Sequence, residues 1–82
     1  SEEGFVDREL MLVKMVNQAS VKKQLESLKA QYRIHIIEET PKFITLECVE
    51  SRENTKKIFA VLTQLGIHEI AQTGAVALSK KE

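Results

Sequence analysis

The chain has 82 residues, and its 12 Lys and Arg residues balance 12 Asp and Glu residues. A chain of this length removes only about 60% of its unfolded surface from water, so it forms one small domain with little room for a deep catalytic pocket. Because the net charge is zero, no summed electrostatic field draws the chain to nucleic acid or to an anionic membrane.

The N-terminal part of the chain predicts a strand followed by a helix. Residues Val6 to Val16 are rich in Leu, Met and Val and contain neither Pro nor Gly, which is typical of a strand. We expect the inner face of this strand to carry Met11, Val13 and Met15. The next apolar residues are spaced by four, three and four positions, as on one face of a helix: Val21, Leu25, Leu28 and Tyr32. Ser20 or Asn17 is the expected N-cap of this helix.

The middle of the chain predicts two strands and a second helix. Apolar and polar residues alternate over Arg33 to Ile36, the only proline, Pro41, indicates a turn, and Phe43 to Glu50 reads as the third strand. Ser51 is a good N-cap for the second helix, which Gly66 can end in left-handed geometry. The apolar face of this helix is expected to consist of Ile58, Phe59, Val61, Leu62 and Leu65.

The last strand is expected in two pieces. If Ile67 to Leu78 formed one unbroken strand with Ile70, Val76 and Leu78 facing inward, Gln72 would enter the core without a partner. A break or bulge near Thr73-Gly74 avoids that cost. The resulting order, βαββαβ, predicts a ferredoxin-like α+β fold, with a four-stranded antiparallel sheet and both helices on one face.

The other face of this sheet is predicted to carry apolar residues that no helix covers. By strand alternation these residues are Leu10, Leu12, Ile37 and Phe43. If they adjoin, they form a patch of the kind that marks an interface, used for self-association or for docking a partner. The alternative is that they are scattered surface residues or that the register differs, since single exposed apolar residues are common.

No group of residues in the sequence supports chemistry of its own. His35, Cys48 and His68 stand alone on different predicted strands, so we expect no metal site. Glu38, Glu39, Glu47 and Glu50 are interpreted as a charged rim rather than as an acid/base pair. The sequence shows no nucleophile motif and no glycine-rich phosphate loop, and Phe43 alone is too little for the base-stacking surface of an RNA-binding domain. We expect no catalytic, cofactor-binding or metal-binding residue.

The number of cysteines and the length of the apolar segments indicate the cellular compartment of the protein. A single cysteine cannot form an internal disulfide, which is typical of a reducing compartment. No stretch approaches the roughly 20 apolar residues of a membrane span, and no signal peptide is recognisable. We expect a cytoplasmic protein, or a plastid or mitochondrial one in a eukaryote.

Two segments at the ends of the chain resemble one protein family. The runs Arg8 to Lys14 and Ile67 to Leu78 strongly resemble the C-terminal domain of the small, regulatory subunit of acetolactate synthase (acetohydroxyacid synthase), and the similarity extends over about Val6 to Lys80. Family members usually carry a Phe-Arg-Gly step where this chain has Gln31-Tyr32-Arg33. The resemblance implies a single ACT-like C-terminal domain over residues 1–82, with an ordered core at about 6–80 and without the N-terminal ACT domain of the family.

The resemblance also implies a function. A domain of this kind is expected to be non-catalytic and to support activation and feedback regulation of the large catalytic subunit in valine, leucine and isoleucine biosynthesis. Thiamine diphosphate, magnesium and FAD are then expected on that catalytic partner and not in this domain, and the small subunit is expected to form a homodimer. A stand-alone ACT-like domain that senses an amino acid or another metabolite is the alternative.

Overall fold

The predicted order of elements is confirmed by a computed structural model, which describes residues 5–73 and 76–79, with side chains for 7–73. The elements are β1 (Phe5–Val16), α1 (Ala19–Gln31), β2 (Ile34–Glu39), β3 (Phe43–Glu50), α2 (Arg52–Leu65), β4 (Ile67–Gln72) and β5 (Val76–Ser79). The last strand is therefore divided, as expected. Neither of the two described helices is long and apolar enough to cross a membrane.

The sheet has the order β2-β3-β1-β4, and all of its neighbouring strands are antiparallel. Strand β5 also pairs with β1, so both pieces of the divided strand lie along the same central strand. This is the strand order of the ferredoxin-like fold, and it confirms the predicted fold class.

The core lies between the sheet and the two helices. The three residues predicted to face inward from β1 are fully buried, together with residues from both helices and from the neighbouring strands. The core consists of Met11, Val13, Met15, Val21, Leu25, Leu28, Ile34, Ile44, Leu46, Cys48, Ile58 and Leu62. Because both helices bury their apolar sides in this one cluster, they cover the same face of the sheet.

The core reaches only the start of the edge strand β4, where the partly buried Ile67 packs against it. Gln72 pairs with the buried Met11 and Ile70 pairs with the buried Val13, yet Gln72 is exposed and Ile70 is 40% exposed. The predicted break after Gln72 is confirmed, because β4 ends there and β5 begins at Val76. The predicted reason is wrong, since the side chain of Gln72 is exposed to water and would not be buried in the core. The side chains of Val76 and Leu78, predicted to face inward, lie outside the described residues.

The predicted N-cap of α1 is wrong, whereas that of α2 is confirmed. Helix α1 begins after Gln18, which makes no side-chain cap hydrogen bond. Asn17 instead donates from Nδ2 to the Thr40 carbonyl at 2.7 Å and so joins the start of the helix to the β2–β3 turn. At α2, Ser51 Oγ accepts from the Asn54 N–H at 3.1 Å, as a capping hydroxyl does.

Gly66 ends α2 with a positive φ, as predicted. Its φ of 94° and ψ of 101° place it outside the ordinary left-handed helical region, in backbone space that favours glycine. Its N–H donates to the carbonyls of both Leu62 and Thr63, which satisfies acceptors at the end of the helix.

The apolar face of α2 differs from the prediction at two residues. Phe59 is 40% exposed, while Thr55 is 1% exposed and shares the buried stripe with Ile58 and Leu62. The spacing of three and four positions from Thr55 to Ile58 and Leu62 places these residues on one side, and Phe59 is turned away from it. The Thr55 hydroxyl has no hydrogen-bond partner among the described residues.

Replacement of Thr55 by Val is expected to stabilise the domain. Val has nearly the same shape, and it removes a buried hydroxyl that has lost water without gaining a partner, so the free energy of unfolding should rise by about 1 kcal/mol. Urea denaturation measures this change. Thr63→Val on the exposed side of α2 is the matched control and should change stability by less than about 0.5 kcal/mol. A loss of stability in Thr55→Val would show that the hydroxyl is bonded.

Candidate interaction surface

The side of the sheet opposite the helices is formed by alternate residues of the central strands. Cross-strand partners share a face, so the register places the even-numbered residues of β1 on this side together with their partners on β3 and β4. We call this side the open face; its members are Leu10, Leu12, Lys14, Val16, Phe43, Thr45, Glu47, Val49, Glu69 and Ala71. Among the described residues, no helix packs on it.

One end of the open face is apolar. Leu10 pairs with Val49, and Leu12 lies between Glu47 on β3 and Ala71 on β4. Both leucines are partly exposed. The backbone of Leu10 is fixed by Thr73, whose N–H donates to the Leu10 carbonyl at 3.0 Å and whose hydroxyl accepts from the Leu10 N–H at 3.1 Å. This end therefore presents leucine side chains from a rigid backbone.

The other end combines aromatic and charged groups. The rings of Phe43 and His68 lie with their centroids 4.6 Å apart and their planes tilted by 35°. Lys14 Nζ lies 5.4 Å from the Phe43 centroid, within the range of a cation–π contact, and 3.5 Å from Glu69 Oε1. Phe43 is thus partly covered by its own neighbours, and like Leu10 and Leu12 it is only partly exposed.

His68 reaches this cluster because β4 contains an irregularity. Ile67 pairs with Met15 and Glu69 pairs with Lys14, so His68 is an extra residue in β4. Its contact with Phe43, two strands away, crosses β1. The sequence analysis placed His68 alone on its strand and did not predict its contact with Phe43. The signal that could have revealed the bulge is the spacing of three between Ile67 and Ile70, which cannot place both on one face of a regular strand.

Ile37 also lies at an irregularity, on the edge strand β2. Ile36 pairs with Leu46 and Glu38 pairs with Thr45, which leaves Ile37 as the extra residue, and its side chain is 52% exposed. The alternation that assigned Ile37 to the open face is interrupted at this point. Since β3 separates β2 from β1, the structure does not place Ile37 beside the two leucines.

The four predicted interface residues are spread over the sheet. Phe43 pairs with Val16, which is six residues from Leu10 along β1 and therefore about 20 Å away. The Lys14–Glu69 ion pair lies between them. Next to this pair is a shallow depression of about 300 Å³, lined by Leu12, Lys14, Thr45, Glu69, Ile70 and Ala71. The apolar residues of β1 on this face are Leu10 and Leu12, which are partly exposed, and Val16, which is 42% exposed. The role of the predicted residues in an interface stays a prediction.

The histidine and cysteine side chains, which are the potential metal ligands, do not come together in the described structure. Cys48 is fully buried, and burial together with the charges of Glu50 and Glu47 raises the pKa of its thiol to about 11. His35 is exposed and pairs with Glu47 at the edge of the sheet. In the part of the chain that the structure describes, no three His, Cys, Asp or Glu side chains come together in a way that could hold a metal ion.

The interpretation of all four carboxylates as a charged rim is wrong for Glu50. Its side chain is only 9% exposed and accepts from the Arg33 N–H at 2.7 Å and from Asn54 Nδ2 at 3.1 Å. Burial alone would raise the pKa of Glu50, but hydrogen bonds from Arg33, Asn54 and the Ser51 N–H, with the Arg33 charge, hold it below 4.5. Glu50 thus joins the starts of β2 and α2.

These observations define a class: a two-layer ferredoxin-like α+β domain with one helix-covered and one open sheet face. Comparison with known proteins gives the family. Residues 8–81 match the family described as the small subunit of acetolactate synthase, and the chain belongs to that family.

Individual relatives agree with this assignment. The chain is 34% identical over 79 residues to the acetolactate synthase small subunit of Mycobacterium bovis, covering 96% of this chain and 47% of that protein. It is 30% identical to the chloroplastic acetolactate synthase small subunit 2 of Arabidopsis thaliana, covering 100% of this chain and 17% of that protein. The crystal structure of the small subunit from Thermotoga maritima superposes with a TM-score of 0.83 at 29% identity, covering 98% of this chain and 49% of that one. The chain thus spans about half the length of its bacterial relatives.

The hydrogen-bonded carboxylate of Glu50 predicts a pH-dependent contribution to stability. Because its folded-state pKa lies below its ordinary value of 4.5, the contribution is present above that value and is lost as the pH falls through the folded-state pKa. Glu50→Gln should lower the free energy of unfolding by about 2 kcal/mol at pH 7. The difference in free energy of unfolding between this variant and the unaltered chain should become smaller as the pH is lowered from 7 to 3. Urea denaturation at a series of pH values measures it.

Glu38→Gln provides the control for this prediction, since Glu38 is an exposed carboxylate on β2. It should change stability by less than about 0.5 kcal/mol at pH 7. A constant difference between Glu50→Gln and the unaltered chain from pH 7 down to pH 3 would contradict the account of Glu50.

Proposed function

We propose that this chain is a non-catalytic domain of the regulatory subunit of acetolactate synthase and that it acts through protein–protein contacts made by the open face. Family membership supports the assignment to the small subunit. The observation that carries the mechanism is the pair Leu10 and Leu12, which are partly exposed on the central strand of a sheet face without a described helix above it.

The proposed partner is the large catalytic subunit. A leucine side chain that is buried on association gains roughly 25 cal/mol for each Å² of apolar surface removed from water. The backbone that presents these leucines is already fixed by pairing on both sides of β1, so little conformational entropy is lost on docking. In this proposal thiamine diphosphate, magnesium and FAD belong to the catalytic partner, and the domain supplies no cofactor ligand.

The size of the open face limits what it can do alone. The paired segment of β1 from Glu9 to Val16 is about 23 Å long, and four strands span about 19 Å, which gives a face of about 450 Å². A stable interface usually buries about 800 Å² on each partner. The remaining area has to come from other parts of the small subunit or from a second copy in the expected homodimer.

Regulation requires that the contact differ between two states of the partner. A domain that binds both states of the catalytic subunit equally shifts no equilibrium, however tightly it binds. We therefore propose that the open face binds the active state of the large subunit more tightly, and that feedback inhibition reduces this preference. The coupling is reciprocal: the factor by which this domain shifts the large subunit toward its active state equals the ratio of the domain's affinities for the active and inactive states.

Reconstitution with the large subunit tests this proposal. In a full-length small subunit, Leu10→Lys combined with Leu12→Lys removes the apolar surface. The second of these substitutions places its ammonium group opposite Glu47 on β3, which favours retention of the fold. The concentration of small subunit needed for half-maximal activation should rise at least roughly tenfold, because two charges would have to be buried at the interface.

Phe59→Lys is the matched control, since Phe59 is an exposed apolar residue on the helix-covered side of the sheet. It should leave the half-maximal concentration within about twofold of the unaltered subunit. A folded double variant that activates the large subunit and confers feedback inhibition at unaltered concentrations would contradict the proposal. If instead a branched-chain amino acid stabilised the isolated domain, a sensor function would be favoured, because a ligand specific for the folded state raises its stability.

A further inference from the structure

A second feature of the surface lies at the point where α1 ends, β2 begins and β3 passes into α2. It is a shallow cavity of about 490 Å³ that is open to solvent. Its lining consists of Arg8, Lys29, Ala30, Gln31, Tyr32, Arg33, Glu50, Ser51 and Asn54. The lining comes mainly from the α1–β2 connection and from the passage of β3 into α2, and Arg8 alone comes from β1, two residues before Leu10. The cavity therefore adjoins the open face only at Arg8.

The lining has more positive than negative charge. Arg8, Lys29 and Arg33 are cationic, while Glu50 is the only carboxylate among the described residues of the lining. The chain as a whole has equal numbers of acidic and basic residues, so this excess is local. Within the described part of the chain, no carboxylate oxygen lies within 4 Å of the side-chain nitrogens of Lys29 or Arg33. Both side chains are exposed, and neither forms a salt bridge with a described residue.

The carboxylate of Glu50 offsets only part of this positive charge, because it interacts with the charge of Arg33 but forms no salt bridge with a described cation of the lining. Its Oε2 accepts from the Arg33 N–H and its Oε1 from Asn54 Nδ2, so both oxygens are directed at the protein. The same hydrogen bonds fix the backbone of Arg33 and the first turn of α2. The Arg8 guanidinium is held as well, because its Nη1 donates to the Asp7 carbonyl at 2.6 Å. The positive groups therefore extend from a well-ordered frame.

We propose that this cavity binds a small molecule through an oxyanion, either a phosphate or a carboxylate group. Guanidinium groups present donors in a planar fork that matches both kinds of oxyanion, and a lysine adds a compact positive charge. The volume of about 490 Å³ is open to solvent and leaves room beside the oxyanion for the body of a small metabolite. Tyr32, which is half-buried in the lining, offers a ring and a hydroxyl to that body.

Titration of the chain with inorganic phosphate, followed by amide NMR, tests the proposal. At constant ionic strength maintained with chloride, phosphate should produce saturable shifts at the amides of Arg33, Ser51 and Asn54, with a dissociation constant on the order of 1 mM. A parallel titration with acetate separates the two sources of the oxyanion. A response to phosphate alone assigns a phosphate ester, a response to acetate alone assigns a carboxylate, and a response to both assigns a general oxyanion site.

Paired variants identify the cations responsible. Lys29→Gln with Arg33→Gln should weaken binding at least roughly tenfold, because hydrogen bonds to charged donors are lost. The control, Lys56→Gln with Lys57→Gln, removes the same charge from exposed positions of α2 and should not change binding. Shifts that do not saturate, or that are equal in both double variants, would overturn the proposal. The phosphate titration does not involve the large subunit. A chain that does not bind phosphate would therefore overturn the oxyanion site and leave the proposed role of the open face untouched.

Discussion

The pairing of β1 with its neighbours is the interaction on which the rest of the domain depends. This strand pairs with β3 along one edge and with both β4 and β5 along the other, so its backbone groups are bonded on both sides. Alternation then divides its side chains between two environments. Met11, Val13 and Met15 enter the core, while Leu10 and Leu12 must lie on the open face. A one-residue slip would bury Lys14 and expose the core methionines, so the register is strongly specified.

The two faces of this sheet differ in how far their side chains are buried. The helix-covered face contains all of the fully buried apolar residues among those described, and it stabilises the domain. The open face contributes less to stability and therefore can be specialised for contact. Its leucines are partly exposed at one end, whereas at the other end Phe43 is partly covered by His68 and Lys14. Leu10 and Leu12 thus offer partly exposed apolar surface at one end, and Val16 adds exposed apolar surface beside Phe43.

The sequence was sufficient to predict the elements whose signals are local. Alternation revealed the inward residues of β1, and the hydroxyl of Ser51 marked the start of α2. It was insufficient where a residue's role depends on a distant partner. Asn17 bonds the Thr40 carbonyl instead of capping α1, and Glu50 is buried because Arg33 and Asn54 supply donors from other elements. The predicted four-residue patch is dispersed because the register pairs Phe43 with Val16, six residues from Leu10, and because Ile37 lies at a bulge on the edge strand β2.

Methyl cross-saturation NMR tests the central claim most directly, namely that the open face is the docking surface. The small subunit is labelled at its methyl groups, and the unlabelled large catalytic subunit is irradiated. The account predicts saturation of the Leu10 and Leu12 methyls, and none at Leu25 and Leu62, which lie in the core beneath the helices. Saturation confined to residues on the helix-covered side, such as Val61, with Leu10 and Leu12 unaffected, would contradict it.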